Sequence, residues 1–159
     1  MVKVYNIINN ENRYPKLNLI KEIEVNDKRV TIEDTIEILG HYLDMYQLSV
    51  EHAYIISFNN NMDILGIYLF SIGNSKNCYF YKKSIATFLL LTGAESFILY
   101  HNHPDGNLET SENDESSIFQ INLLSEILEI EFIDSIIISK NGWYCIKGKQ
   151  GETYEEDEI

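Results

Sequence analysis

Basic residues are scarce in this chain, and over one long stretch they are absent: no Lys or Arg lies between Lys83 and Lys140. Ten acids fall in that same stretch, among them Glu95, Asp105, Glu109, Glu112, Asp114, Glu115 and Asp134. Overall, 12 Lys and Arg face 25 Asp and Glu, a formal net charge of −13. Nucleic-acid binding draws most of its affinity from cations that neutralise phosphates, so direct binding to a polyanion is not expected. Cysteine is nearly missing as well. Cys78 and Cys145 stand alone and far apart, which argues against a disulfide framework and for two free thiols. Long apolar runs are also lacking. The opening "MVKVYNIINNENRY" has no uninterrupted apolar core of the signal-peptide kind, and the most apolar stretch, "IATFLLLTGAESFILY", is broken by Glu95. These absences lead to the expectation of a cytoplasmic protein with no membrane span.

What is present describes a globular chain. Its 159 residues are 45% hydrophobic and 12% aromatic, enough for one domain with its own core. Residues 1–30 read as an irregular or extended lead-in around Pro15 and Asn-rich turns. "TIED" at Thr31 has the form of a capping box, and Ile32, Ile36, Leu39, Leu43 and Tyr46 follow at helical spacing to about Leu48. "EHAYIISFN" and "ILGIYLFSI" are β-rich runs joined by the turn signal "NNNMD". A helix over 79–93 ends at Gly93, followed by a short central strand over 96–102. Ser111 opens a further helix to about Ile130, with Ile118, Ile121, Leu124 and Ile127 expected inward. Strands over 132–139 and 142–148 are joined by "KN", and an acidic solvated tail closes the chain from residue 149. The expected fold is one α/β domain, a mixed sheet flanked by helices, over residues 31–148.

Histidine is the scarce residue that matters. Two of the four lie in "LYHNHPDGNLETSENDES", residues 99–116. His101 and His103 leave a strand two residues apart, so their side chains share one face. Pro104 and Gly106 turn the chain, and Asp114 lies in the first turn of the next helix. Two imidazoles and a carboxylate leave one position of a tetrahedral Zn²⁺ open for water, the composition of a catalytic site. A plainer reading stands beside it: "SEND" is a capping box, which alone explains Ser111 and Asp114.

"HNHPDGNLETSEND" fits H-x-H-P-x(6)-S-x-x-D and resembles the metal signature of JAB/JAMM-domain proteins, in the form of the RadC-like branch. That branch also has a glutamate at a strand start upstream, then "SxG" and a helix. Here Glu51, "SIG" at 71–73 and the helix from 79 fill those places, so the resemblance covers about residues 50–147. It implies α/β/α layers like those of cytidine deaminases, with His101, His103 and Asp114 as zinc ligands. It further implies Ser111 as hydrogen-bond donor to the substrate oxyanion and Glu51 as general acid/base. Without the resemblance, nothing would favour Glu51 over Glu95.

Three departures stand out. Asp105 occupies a usual Ser position, Thr110 a usual Pro, and Ser135 a His that commonly follows the Asp at 134. Asp134 itself is a weaker candidate for supporting the site. Roughly 50 residues precede Glu51, so the helix-hairpin-helix region of full-length RadC proteins is not expected within this sequence.

The implied activity is zinc-dependent hydrolysis of a peptide or isopeptide bond, with a neutral or basic substrate suited to the acidic surroundings. Two alternatives remain. One is a DNA-repair or mobile-element role exerted through a protein partner. The other is a zinc-stabilised binding module without turnover. The letters "HNH" do not indicate an HNH nuclease, whose residues are dispersed through a ββα unit. A zinc deaminase would need H-x-E with P-C-x-x-C, which is absent.

Overall fold

The computed structural model describes residues 1–25, 30–75 and 78–154. Eight strands form one mixed sheet in the order β2-β1-β4-β3-β5-β6-β7-β8. The strands are β1 (Val2–Asn9), β2 (Pro15–Ile23), β3 (His52–Phe58), β4 (Ile64–Ile72), β5 (Ser96–Asn102), β6 (Glu131–Ser139), β7 (Gly142–Cys145) and β8 (Gln150–Thr153). The helices are α1 (Ile32–Glu37), continued by a π-helical turn over Ile38–Tyr42, then α2 (Lys82–Thr92) and α3 (Glu112–Leu128). This is the expected α/β fold.

The period-2 alternation of the central strands divides the core between two faces. Tyr54, Ile56, Ile98, Tyr100, Ile136 and Ile138 pack on one side with Ile36, Leu39 and Met45. Ala53, Ile55, Phe97 and Leu99 pack on the other with Ile85, Phe88 and Leu89 of α2 and Ile118 and Ile121 of α3. All seven residues of β5 are buried, as a central strand requires. A buried hydrogen bond of 2.6 Å between Thr35 Oγ1 and Tyr100 Oη ties α1 to the sheet.

Several local expectations hold. Thr31 Oγ1 accepts from Asp34 N while Asp34 Oδ2 accepts from Thr31 N, a reciprocal cap. Gly93 ends α2 at φ 65°, and Ser139 pairs with Gly142 across the two-residue turn at Lys140 and Asn141.

Others are corrected. Residues 2–23, expected as an irregular or extended lead-in, are extended but form a β-hairpin integral to the sheet, with β1 also pairing parallel to β4. The first helix stops short of Leu48: after the π-helical turn the chain folds back so that Tyr46 lies against Gly40, where any Cβ would collide with its ring. Ile127 is 79% exposed rather than inward. It lies nine residues beyond Ile118, which at about 100° per residue places it on the opposite side of α3. The strand over 142–148 ends at Cys145, and residues 150–153, expected in the solvated tail, pair with it as β8. Residues 155–159 of that tail lie outside the described residues.

α3 connects the parallel neighbours β5 and β6. Such a crossover places the carboxyl end of one strand beside the amino end of the following helix, the usual position for a site in an α/β sheet.

Candidate metal centre

His101 lies near the end of β5 and is 1% exposed; His103 follows just past the strand and is half-buried. Asp114 is the third residue of α3 and is buried. The loop between them folds back as the sequence suggested, held in part by His103 N donating to Ile138 O. His101 Nε2 stands 3.1 Å from His103 Nε2 and 3.1 Å from Asp114 Oδ1. His103 Nε2 is 3.8 Å from Asp114 Oδ2.

These distances suit a shared cation. Zinc bonds of about 2.0–2.1 Å in a tetrahedron separate neighbouring donors by about 3.3–3.4 Å. Among the described residues, this is the one group of three or more such side chains that could hold a metal ion. The tautomer of His103 fits as well. Its Nδ1 is 2.9 Å from Asn107 O, and donation there leaves the Nε2 lone pair free to ligate. Burial, aided by the charge of His101, pushes the His103 pKa below its ordinary value, which favours the neutral, ligating form.

Asp114 completes the helix cap and also faces His101. Oδ2 accepts from Ser111 Oγ at 2.6 Å and from Ser111 N at 2.8 Å, while Ser111 Oγ accepts from Asp114 N at 3.1 Å, completing the capping box. Oδ1 faces His101. Burial acts to raise the Asp114 pKa, but the hydrogen bond and charge of His101, with the Ser111 bonds, hold it well below the usual carboxylate range. The first turn of α3 also favours an anion electrostatically. Ser111 Oγ therefore already has a partner, and its proton is directed at Asp114.

Glu51 is brought to the same place. Ala53 pairs with His101 across β3 and β5, so the side chains at 51, 53, 101 and 103 belong to one face. Glu51 is 5% exposed, whereas Glu95, the other acid weighed from the sequence, is merely exposed surface at the opposite end of β5. Desolvation pushes the Glu51 carboxyl up to about 7; His101 opposes this, and the negative charges of Asp114 and Asp105 add to it. The "SIG" element pins the backbone here. Gly73 N donates to Glu51 O at 2.8 Å, and Glu51 N donates to Asn74 O at 2.9 Å.

The raised value has a measurable consequence. Between about 4.5 and about 7 the folded chain keeps a proton on Glu51 that the unfolded chain has lost. Stability of the metal-free protein should therefore fall as pH rises through that window. Urea denaturation across the window in wild type and Glu51→Gln checks this, with the decline expected to flatten in the variant.

Three further residues that the motif alone does not mark belong to the site. Asn102, between the two histidines, is 1% exposed and bonds the backbone on either side of Glu51. Phe80 meets the His101 ring edge-on at 5.8 Å between centroids. Cys78 is buried, and its thiol is pushed up by burial, with the charges of Glu51 and Asp114 adding to the effect. For Asn102 a signal existed: strand alternation sets it opposite the ligand face, so it could not be a third ligand there. Asp134 is not part of the cluster. Its carboxylate accepts from Ser135 N, Lys147 N and Gly148 N, closing the chain after β7.

With this geometry in place, the comparisons with known proteins agree. The family model described as RadC-like JAB domain matches residues 30–151. The chain belongs to the RadC-like JAB-domain family. Relatives named UPF0758 protein include one from Chlorobium chlorochromatii, 27% identical over 99 residues, covering 62% of this chain and 45% of the relative. One from Thermotoga maritima is 21% identical over 121 residues, covering 76% of this chain and 54% of the relative. One from Clostridium kluyveri is 27% identical over 106 residues, covering 67% and 46%. This RadC-like chain thus spans about half the length of the curated relatives it matches. Among its described residues, no helix is long and apolar enough to cross a membrane.

Proposed function

We propose that this RadC-like JAB domain is a zinc-dependent hydrolase of peptide or isopeptide bonds. The observation that carries the reading is Glu51, a carboxyl buried on the same sheet face as the His101, His103 and Asp114 cluster, with its pKa raised by desolvation in the metal-free chain. A carboxylate needed only for solubility would not be buried there. One needed to exchange protons at neutral pH gains from a pKa close to the working pH. The same observation favours an enzyme over a metal-stabilised module without turnover, which has no use for a poised acid.

His101, His103 and Asp114 would hold the ion through two imidazole nitrogens and one carboxylate oxygen. Zinc, when bound, supplies an acidified water and polarises a carbonyl. Glu51 would take a proton from the attacking water and later deliver it to the leaving amine nitrogen. Ser111 would donate to the developing oxyanion. Its hydroxyl here donates to Asp114 Oδ2, so this role requires it to turn toward the substrate. The dense acids of residues 105–115, with no cation between Lys83 and Lys140, support a neutral or basic substrate segment and disfavour a nucleic acid.

The test is a screen of peptide and isopeptide substrates with zinc-loaded protein, with and without a chelator. Chelator-sensitive hydrolysis is the expected outcome. Hydrolysis that survives complete removal of metal, or a broad screen with no turnover, would count against the reading. Salt-dependent binding of DNA by the chain would reverse the inference from charge.

A further inference from the structure

We propose that Asn102 is a positioning residue for Glu51, its carboxamide clamping the backbone on both sides of that glutamate. The inference rests on the hydrolytic reading of the site. Asn102 Oδ1 accepts from His52 N at 2.6 Å, and Asn102 Nδ2 donates to Val50 O at 3.2 Å. These two backbone groups flank Glu51, whose own N–H and C=O are bonded to Asn74 O and Gly73 N on the other side. The backbone of Glu51 is thus held between the turn after β4 and one side chain of β5. Asn102 lies between His101 and His103 in the chain, its side chain on the opposite face, so any shift of the proposed ligand pair moves the clamp with it.

The residue type matters. At this site one side chain must offer an acceptor and a donor at once, to backbone groups two residues apart. A carboxamide does both. Aspartate keeps the acceptor but sets a carboxylate oxygen against the Val50 carbonyl, and alanine removes this partner of His52 N and leaves Val50 O with the His52 ring Nδ1 at 3.1 Å. The place of Asn102 at the end of β5, between His101 and His103, gives the arrangement its purpose: the acid/base and the ligand pair are registered to each other through a few bonds of one strand end. Preorganisation of this kind governs rate, because small misplacements of a reacting group are costly.

The experiment compares wild type, Asn102→Ala, Glu51→Gln and the double variant, all zinc-loaded. Amide hydrogen exchange at His52 is expected to quicken about tenfold in Asn102→Ala, the loss of one part-buried hydrogen bond, while Ile55 and Ile56 in mid-strand stay protected. Zinc content should not change. Turnover should fall with KM little altered, and the double variant should be no slower than Glu51→Gln alone, since Asn102 acts through Glu51.

One readout is independent of any substrate. With cobalt(II) in place of zinc, Glu51→Gln and Asn102→Ala should shift the visible spectrum in the same direction, with no added shift in the double variant. Unchanged His52 exchange overturns the clamp. A spectrum that Asn102→Ala leaves as in wild type overturns its action on Glu51, and additive losses of turnover do the same. If wild type hydrolyses nothing, the hydrolase reading fails, and exchange and spectrum still decide this inference. Should Asn102→Ala not fold, Asn102→Asp, which removes only the donor to Val50 O, is read on the same spectrum.

Discussion

Glu51→Gln should leave zinc binding at about one ion per chain and lower hydrolysis by about 10²–10⁴-fold, the range spanned by general acid–base catalysis. The substitution keeps the shape of the side chain and removes only its capacity to exchange a proton. It also removes an ionisable group from the site, so the low-pH arm of the rate profile should vanish with it. The fold should tolerate the change well. A neutral amide relieves the desolvation and like-charge repulsion from Asp114 and Asp105 that raise the carboxyl in the first place. Measurement needs metal analysis of both proteins and initial rates on any substrate that wild type cleaves. A variant that keeps more than about a tenth of wild-type turnover would remove Glu51 from the chemistry.

His103→Ala has the opposite signature: metal binding itself is lost. His103 contributes one of two imidazole donors in the group of His101, His103 and Asp114, and its Nδ1, held by Asn107 O, leaves Nε2 for the ion. It lies past the end of β5 and is only half-buried, so its removal should not disturb the core, as removal of the fully buried His101 would. Zinc at 100 to 1,000 times its Kd should stabilise wild type by about 2.7–4.1 kcal/mol. Thermal unfolding of His103→Ala should show no such rise. Wild type that neither contains zinc on purification nor takes it up on titration would falsify the site. The pair of variants also separates two failures. Loss of zinc in both would mean that Glu51 is itself a ligand, whereas loss in His103→Ala alone supports the roles assigned above.

Asp114 illustrates how a local motif and a distant constellation share one residue. Its Oδ2 makes the capping box that "SEND" indicates at once, because cap and third helical residue are neighbours in any helix start. Its Oδ1 meets His101 only because the α3 crossover returns beside the end of β5. The cap is therefore a property of four consecutive residues, and the approach to His101 is a property of the fold.

The same division runs through the whole chain. Spacing and residue type were enough for His101 and His103 on one face, the Thr31 and Ser111 caps, the Gly93 stop and the two-residue turn before Gly142, because each depends on neighbours within a few residues. The terminal strands were not legible. β2 buries only Ile23, and every residue of β8 is exposed, so both owe their form to backbone pairing with β1 and β7 rather than to an apolar face. Glu51 is the sharpest case. In sequence it is one of 25 acids, and only the resemblance to the RadC-like pattern marks it. Its burial, its raised pKa and its bonds to the 73–74 turn come from three strands meeting at one sheet end. The residue types of the candidate centre were written in the sequence. The proximity that lets a carboxyl and two imidazoles act on one another was decided by tertiary structure, since only packing removes the water that would otherwise screen them.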